Sequence, residues 1–156
     1  PTMTPDQPMS DSAYEGSLTH RDHAFLIRAI KAGMKEVAIS QVVMDHLNGQ
    51  HLRAFARQMV DDHTANNSEL VNLAASKSVA LPAQDPSIID DWGKKTGDVD
   101  KKYVDEMVSD HEEAVKLFEK AAAKSNDVDV QAFAQRTLAT LEHHLMMAQD
   151  LKKSVN

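Results

Sequence analysis

The sequence predicts an all-α protein, a four-helix bundle with a short extra helix in the connection between its second and third long helices. Apolar residues recur at alternating steps of three and four along four stretches of about 24 to 28 residues each. No stretch alternates with the period of two that a half-buried strand needs, and aromatic residues make up only 4% of the chain. A chain of 156 residues is long enough for one domain with a real core and short for two. The expected division is a flexible N-terminal segment over residues 1–18, rich in Pro, Ser, Thr and Asp, and a bundle domain over 19–156.

The first long helix opens at Thr19, which with Asp22 has the spacing of an N-terminal capping box. It carries Phe25, Ala29, Ala32, Glu36, Ser40, Val43 and Leu47 on one stripe and stops at Asn48-Gly49. The second follows at once, with Leu52, Ala56, Met59, His63, Asn66, Leu70 and Leu73 facing inward as far as about Ser78. The segment "VALPAQDPSIIDDWGKKTGD" holds two prolines and two glycines. Long structureless loops are uncommon, so a short helix is expected near Ser87 to Lys94. The third long helix starts near Asp98, with Val104, Met107, His111, Ala114, Phe118 and Ala121 on its stripe. After "SNDVD", where Ser125, Asn126 or Asp127 can cap, the fourth runs from about 128 to 153 with Val130, Ala134, Thr137, Leu141, His144, Ala148 and Leu151 inward. The central connection allows two topologies, with the second and third long helices either antiparallel neighbours or parallel.

Composition removes several classes of function. A net charge of −7 with acids and bases interspersed argues against nucleic acid and anionic membrane surfaces, which reward clustered Lys and Arg. No apolar run approaches the roughly 20 residues that span a bilayer, so no membrane insertion is expected. With no cysteine there are no disulfides, thiolate zinc sites or cysteine nucleophiles, and any metal chemistry must use His and carboxylates. The chain begins at Pro1 and not at methionine, as expected of a trimmed form whose targeting segment, if it had one, is gone.

The polar exceptions on the four stripes are Glu36, His63, His111 and His144, one from each helix. The stretch "MVDDH" at 59–63 returns as "MVSDH" at 107–111 and places His111 where His63 stood. Glu36 lies 13 residues before Gly49 and His63 lies 14 after it. Both therefore stand roughly 20 Å from the same end of the bundle. His111 and His144 match to within about one helical turn, so all four side chains can meet at mid-height. A lone His on an apolar stripe is more often a hydrogen-bonded core residue. A core holding a carboxylate and three imidazoles, however, needs something that returns their desolvation energy. A divalent transition-metal ion does so: this donor set suits zinc and is acceptable to copper, iron or manganese.

Ser40, Asn66, Asn67 and Thr140, each about a turn from one of the four, are candidates to orient them. Asp62 and Asp110 precede their histidines by one residue, about 100° round the helix, and read as solvent-side or interhelical. Met59 and Met107 invite a copper reading but sit at core spacing. His20, His23, His46 and His51 read as solvated, and His143 as the outward member of its pair. The Glu-x-x-His pattern of di-iron bundles is absent, since Val60, Val108 and Leu141 stand three residues before the histidines. No nucleophile elbow, phosphate loop or HExxH occurs.

The segments "DHAFLIRAIKAGMKEVAISQ", "FARQMVDDHTANNSEL", "YVDEMVSDHEEAVKLFEKAA" and "FAQRTLATLEHHL" closely resemble the bacterial domain-of-unknown-function family four-one-four-two, over residues 22 to about 151. In that resemblance the family's recurrent Glu falls on Glu36, its two Asp-His pairs on Asp62-His63 and Asp110-His111, and its Leu-Pro-x-Leu-x-x-His segment on Leu138 to His144. Ala139 stands where the family carries proline. The resemblance implies a ferritin-like bundle and export to the periplasm or cell envelope, without an activity. The expected function is a metal-binding protein holding one divalent ion, zinc first, through Glu36, His63, His111 and His144. Storage, buffering, sensing or structural bracing would follow. The alternatives are a mononuclear iron or manganese oxidoreductase with open coordination positions, or a copper-binding protein.

Overall fold

The computed structural model describes residues 18–155. The N-terminal segment expected over 1–18 lies outside them except for Leu18. The described residues form only helices and their connections: α1 (His20–Val43), α2 (Gln50–Ser76), α3 (Pro86–Gly93), α4 (Val99–Lys124) and α5 (Val128–Val155). A single 3-10 turn, Met44–His46, follows α1, so the first helix tightens before Asn48-Gly49 and does not run regularly up to it.

The helix starts follow local chemistry. Thr19 Oγ1 accepts from the Asp22 N–H at 3.1 Å. Only this half of the expected capping box forms. The Asp22 carboxylate points across the molecule instead and accepts from the N–H groups of Asn126 and Asp127 at 3.1 and 3.2 Å. Asp98 caps α4 through the Lys101 N–H, and Asp127 opens α5 by accepting from the Asp129 and Val130 N–H groups. The short α3 has Asp85 as its cap and Pro86 in its first turn, and it packs Trp92 inward against α1. The helix α5 passes unbroken through Ala139, where the family resemblance suggested a proline.

Contacts at the helix ends fix the topology. At one end the Asp100 carboxylate, in the first turn of α4, accepts from the N–H groups of Asn48 and Gly49 between α1 and α2. At the other, Asp22 ties the start of α1 to the turn between α4 and α5, and Lys77 after α2 pairs with Asp127 and Asp129 at 3.0 and 2.8 Å. Helices α2 and α4 therefore start at the same end and run parallel, so the connection carrying α3 travels the length of the molecule. Of the two topologies open to the sequence, the parallel one is found. The heaviest packing is within the antiparallel pairs α1–α2 and α4–α5, while α1–α4 and α2–α5 meet more lightly.

The apolar core falls into two clusters along this axis. One gathers Phe25, Leu26, Leu70, Phe118 and Phe133; the other gathers Ile39, Leu52, Met59, Tyr103 and Met107. Full burial of each such side chain stabilises the fold by about 1.5 to 3 kcal/mol. Between the clusters lies a polar layer.

Candidate metal centre

That layer contains the four residues singled out by the sequence. Glu36, His63, His111 and His144 are all buried, at 4, 5, 1 and 0% exposure. Each lies on the inward stripe of a different long helix, a turn from residues of the apolar clusters. The three imidazole rings stand 5.2 to 5.5 Å apart, centre to centre. One ring nitrogen of each lies within 4.8 Å of one nitrogen of each of the others, forming a three-histidine group able to hold a metal ion. His143 is exposed, as its position on the helix predicts, and so are His20, His23, His46 and His51.

Hydrogen bonds leave one nitrogen free on two of the rings. His111 Nδ1 donates to the carbonyl of Met107, one turn back, at 2.8 Å, so its Nε2 carries the lone pair. His144 Nε2 donates to Asp62 Oδ2 at 2.8 Å, and its buried Nδ1 has no partner. His63 Nε2 and His111 Nε2 face each other at 3.4 Å, long for a hydrogen bond. Burial holds the His63 imidazole well below the usual histidine range, with the neighbouring His111 and His144 adding to the effect. Burial likewise pulls His111 down to about 4, and it lowers His144 despite the opposing pull of Asp62. All three are neutral near pH 7, the form that binds metals.

Glu36 belongs to the layer but stands apart from the nitrogen cluster. Its Oε2 is 4.0 Å from His111 Nδ1, the nitrogen already committed to Met107, and takes no hydrogen bond from that ring. Burial pushes its carboxyl well above the usual range, and the adjacent Asp110 carboxyl pushes it further. Asp110 in turn meets Lys35 Nζ at 2.9 Å. A cavity of about 30 Å³, room for a water or two, lies beside His63, His111 and Glu36 on the side of Phe118 and Phe133.

The residues expected to orient the donors are partly replaced by others. Ser40 pairs with the buried Tyr103 hydroxyl at 2.6 Å. Asn66 and Asn67 line the small cavity, and on α5 it is Thr137 that does so, not Thr140. The partner the sequence reading left undecided is Asp62, which orients His144 across the α2–α5 contact. The repeated Asp-His pairs were its only sequence signal. Met59 and Met107 are completely buried in the apolar cluster, as core spacing suggests.

No helix among the described residues is long and apolar enough to cross a membrane. No curated protein matches the chain. Among solved structures, a crystal structure of a DUF305 fragment from Deinococcus radiodurans superposes with a TM-score of 0.75, over 88% of this chain and 99% of that one. Its identity is 8%, so the likeness concerns the fold alone. The family described as "Domain of unknown function (DUF4142)" matches residues 7–151, a span that takes in α1 to α4, α5 up to its last turn and every residue of the polar layer, and the chain belongs to that family.

Proposed function

We propose that this is a metal-binding protein of the bacterial envelope. In this reading His63, His111 and His144 hold one divalent transition-metal ion, zinc first, within a ferritin-like four-helix bundle, and Glu36 is the fourth donor. The observation that carries the reading is the 3.4 Å separation of His63 Nε2 and His111 Nε2. Two nitrogens bound at about 2.0 to 2.1 Å to one tetrahedral ion stand roughly 3.3 Å apart. The fixed tautomers support it further, since Met107 and Asp62 occupy the second nitrogens of His111 and His144. His144 offers its buried, unpartnered Nδ1 as the third donor nitrogen. Glu36 Oε2 lies 4.0 Å from His111 Nδ1, outside the three-histidine group, so its part as fourth donor requires a change of side-chain rotamer.

Four protein donors leave no open position, which favours storage, buffering, sensing or bracing over catalysis. The methionine sulfurs belong to the apolar core, leaving a borderline imidazole and carboxylate set that suits zinc better than copper(I). The envelope assignment rests on the family resemblance. A second reading, an iron or manganese oxidoreductase, draws on the small cavity beside His63 and His111, which has space for a small exogenous ligand in place of Glu36. Glu36→Gln separates the two: a clear loss of affinity favours the closed site, and an unchanged affinity the open one.

Elemental analysis of protein from its own host, with thermal melts in the presence and absence of chelator, tests the proposal itself. One equivalent of metal and a chelator-lowered melting temperature are expected. Protein free of stoichiometric metal, melting identically in both conditions, rules the proposal out.

A further inference from the structure

The small cavity beside His63 and His111 shares a wall with a much larger groove on the outside of the molecule. The groove, about 650 Å³, lies between α1, α4 and the crossover residues around Gln84 and Ile88. Four side chains line both spaces: Ala32 and Glu36 from α1, Asp110 and Ala114 from α4. The partition between surface and histidines is thus one layer thick, made of two alanines and two acids.

Its polar groups are incompletely satisfied. On the outer face, the Lys35 ammonium sits 2.9 Å from Asp110 Oδ1 and 3.3 Å from Glu106 Oε1. The second oxygen of Asp110, Oδ2, and Oε2 of Glu36 behind it are buried with no N–H or hydroxyl to bond them, and the two carboxyls stand close enough to share a proton. Two carboxyls in succession along a line leading to three imidazoles, joined only by a proton, form a site where an entering cation can take that proton's place. The outer position is already one that attracts a cation, since Lys35 occupies it. Ala32 and Ala114 are the smallest side chains of this partition and lie against both spaces.

We propose that this wall is the way in for the ion. A divalent cation passes from the groove between Ala32 and Ala114, taken first by Asp110, then by Glu36, and delivered to the histidines, with the Lys35 ammonium as a displaceable plug. The proposal rests on the metal-binding reading and adds its route. A carboxylate relay of this kind lets a hydrated cation exchange water for protein oxygens stepwise, before it meets the less hydrated histidine layer.

Cobalt(II) is a suitable probe, with uptake followed by visible absorption after rapid mixing and release followed in excess chelator. A route differs from a site in affecting both directions equally. Lys35→Met, which keeps most of the side chain's apolar stem, is expected to speed uptake and release alike by about tenfold. Ala32→Leu and Ala114→Leu are expected to slow both by a similar factor, about tenfold, at unchanged affinity and helical content. Rates unaffected by all three changes overturn the route. So does Lys35→Met if it speeds uptake but slows release, the mark of simple charge attraction. Should the leucine variants lose helical content, the Lys35→Met pair of rates decides alone, because Lys35 is partly exposed and outside the core. Wild-type protein that binds no cobalt, or His111→Ala that binds as well as wild type, refutes the site and the route together. Tight binding abolished by His111→Ala, with rates indifferent to residues 32, 35 and 114, refutes the route only.

Discussion

At the scale of single residues, His144 shows how an imidazole is prepared for a cation. One nitrogen is held by a carboxylate from the next helix, and the other faces the interior with nothing to bond. Replacing Asp62 with Asn, which still accepts a hydrogen bond but carries no charge, should weaken metal binding about 10- to 100-fold while leaving the melting of chelated protein nearly unchanged. Competition titration with a chromophoric chelator measures this. In the same assay His111→Ala should lose far more affinity than His143→Ala, and equal losses would contradict the burial of one and exposure of the other. The histidines also make stability depend on pH. Folded His111 titrates near 4, against an ordinary value of 6.5. As pH falls, the unfolded chain takes the proton first. The contribution is therefore complete above about 6.5 and drains away as pH drops towards 4. In chelator, wild type should lose on the order of 3 kcal/mol more than His111→Gln across that window in denaturant melts. Parallel curves would mean that the fold does not hold this ring neutral. Glu36 acts in the opposite sense: its raised value makes its contribution whole at low pH and lost as pH rises through the elevated range. The comparison with His111→Gln is chosen because Glu36 is common to both proteins.

At the scale of helices, much is legible in the sequence. The steps of three and four located each long helix, Asn48-Gly49 and "SNDVD" marked the turns, and the interruption of each apolar stripe gave the buried polar residue. Two things were not legible. The flank positions one residue before the histidines bond across helices, and which neighbour each meets depends on topology that periodicity does not carry. Close approaches are equally invisible: Gly33 on α1 sits under Asn67 of α2, and a Cβ there would come within 2.0 Å of Asn67 Oδ1. Alone, Gly33→Ala should destabilise, because Asn67 has to leave its place. In an Asn67→Ala background the same change should stabilise by about 1 kcal/mol, the ordinary preference of a helix interior for Ala over Gly. Thermal melts of the four proteins in this cycle check the reversal of sign; the same sign in both backgrounds would dismiss the contact. Asp22 teaches a similar lesson, since the capping-box spacing was real but its carboxylate serves a turn more than a hundred residues away.

At the scale of the whole molecule, the parallel placement of α2 and α4 makes sense of the repeated "MV.DH" stretches. The long helices meet in the ring α1–α2–α5–α4, which sets α2 diagonally opposite α4 and α1 opposite α5. The Asp62–His144 contact between α2 and α5 has a counterpart between α4 and α1 in Asp110 and Glu36, so the polar layer has two flanks, one ending in a histidine and one in a glutamate. The two antiparallel pairs each bring two of the four residues, Glu36 with His63 and His111 with His144. Packing inside each pair exceeds packing between them. An ion held by residues from both pairs should therefore slow amide exchange most along the α1–α4 and α2–α5 contacts, and less within α1–α2 and α4–α5. Hydrogen exchange with and without bound metal measures the pattern, and uniform protection would argue against it. The join where the chain is least tightly closed, like the gutter of an open book, is also where its cargo would rest. Whatever prises the two leaves apart would then spill that cargo before either leaf unravels.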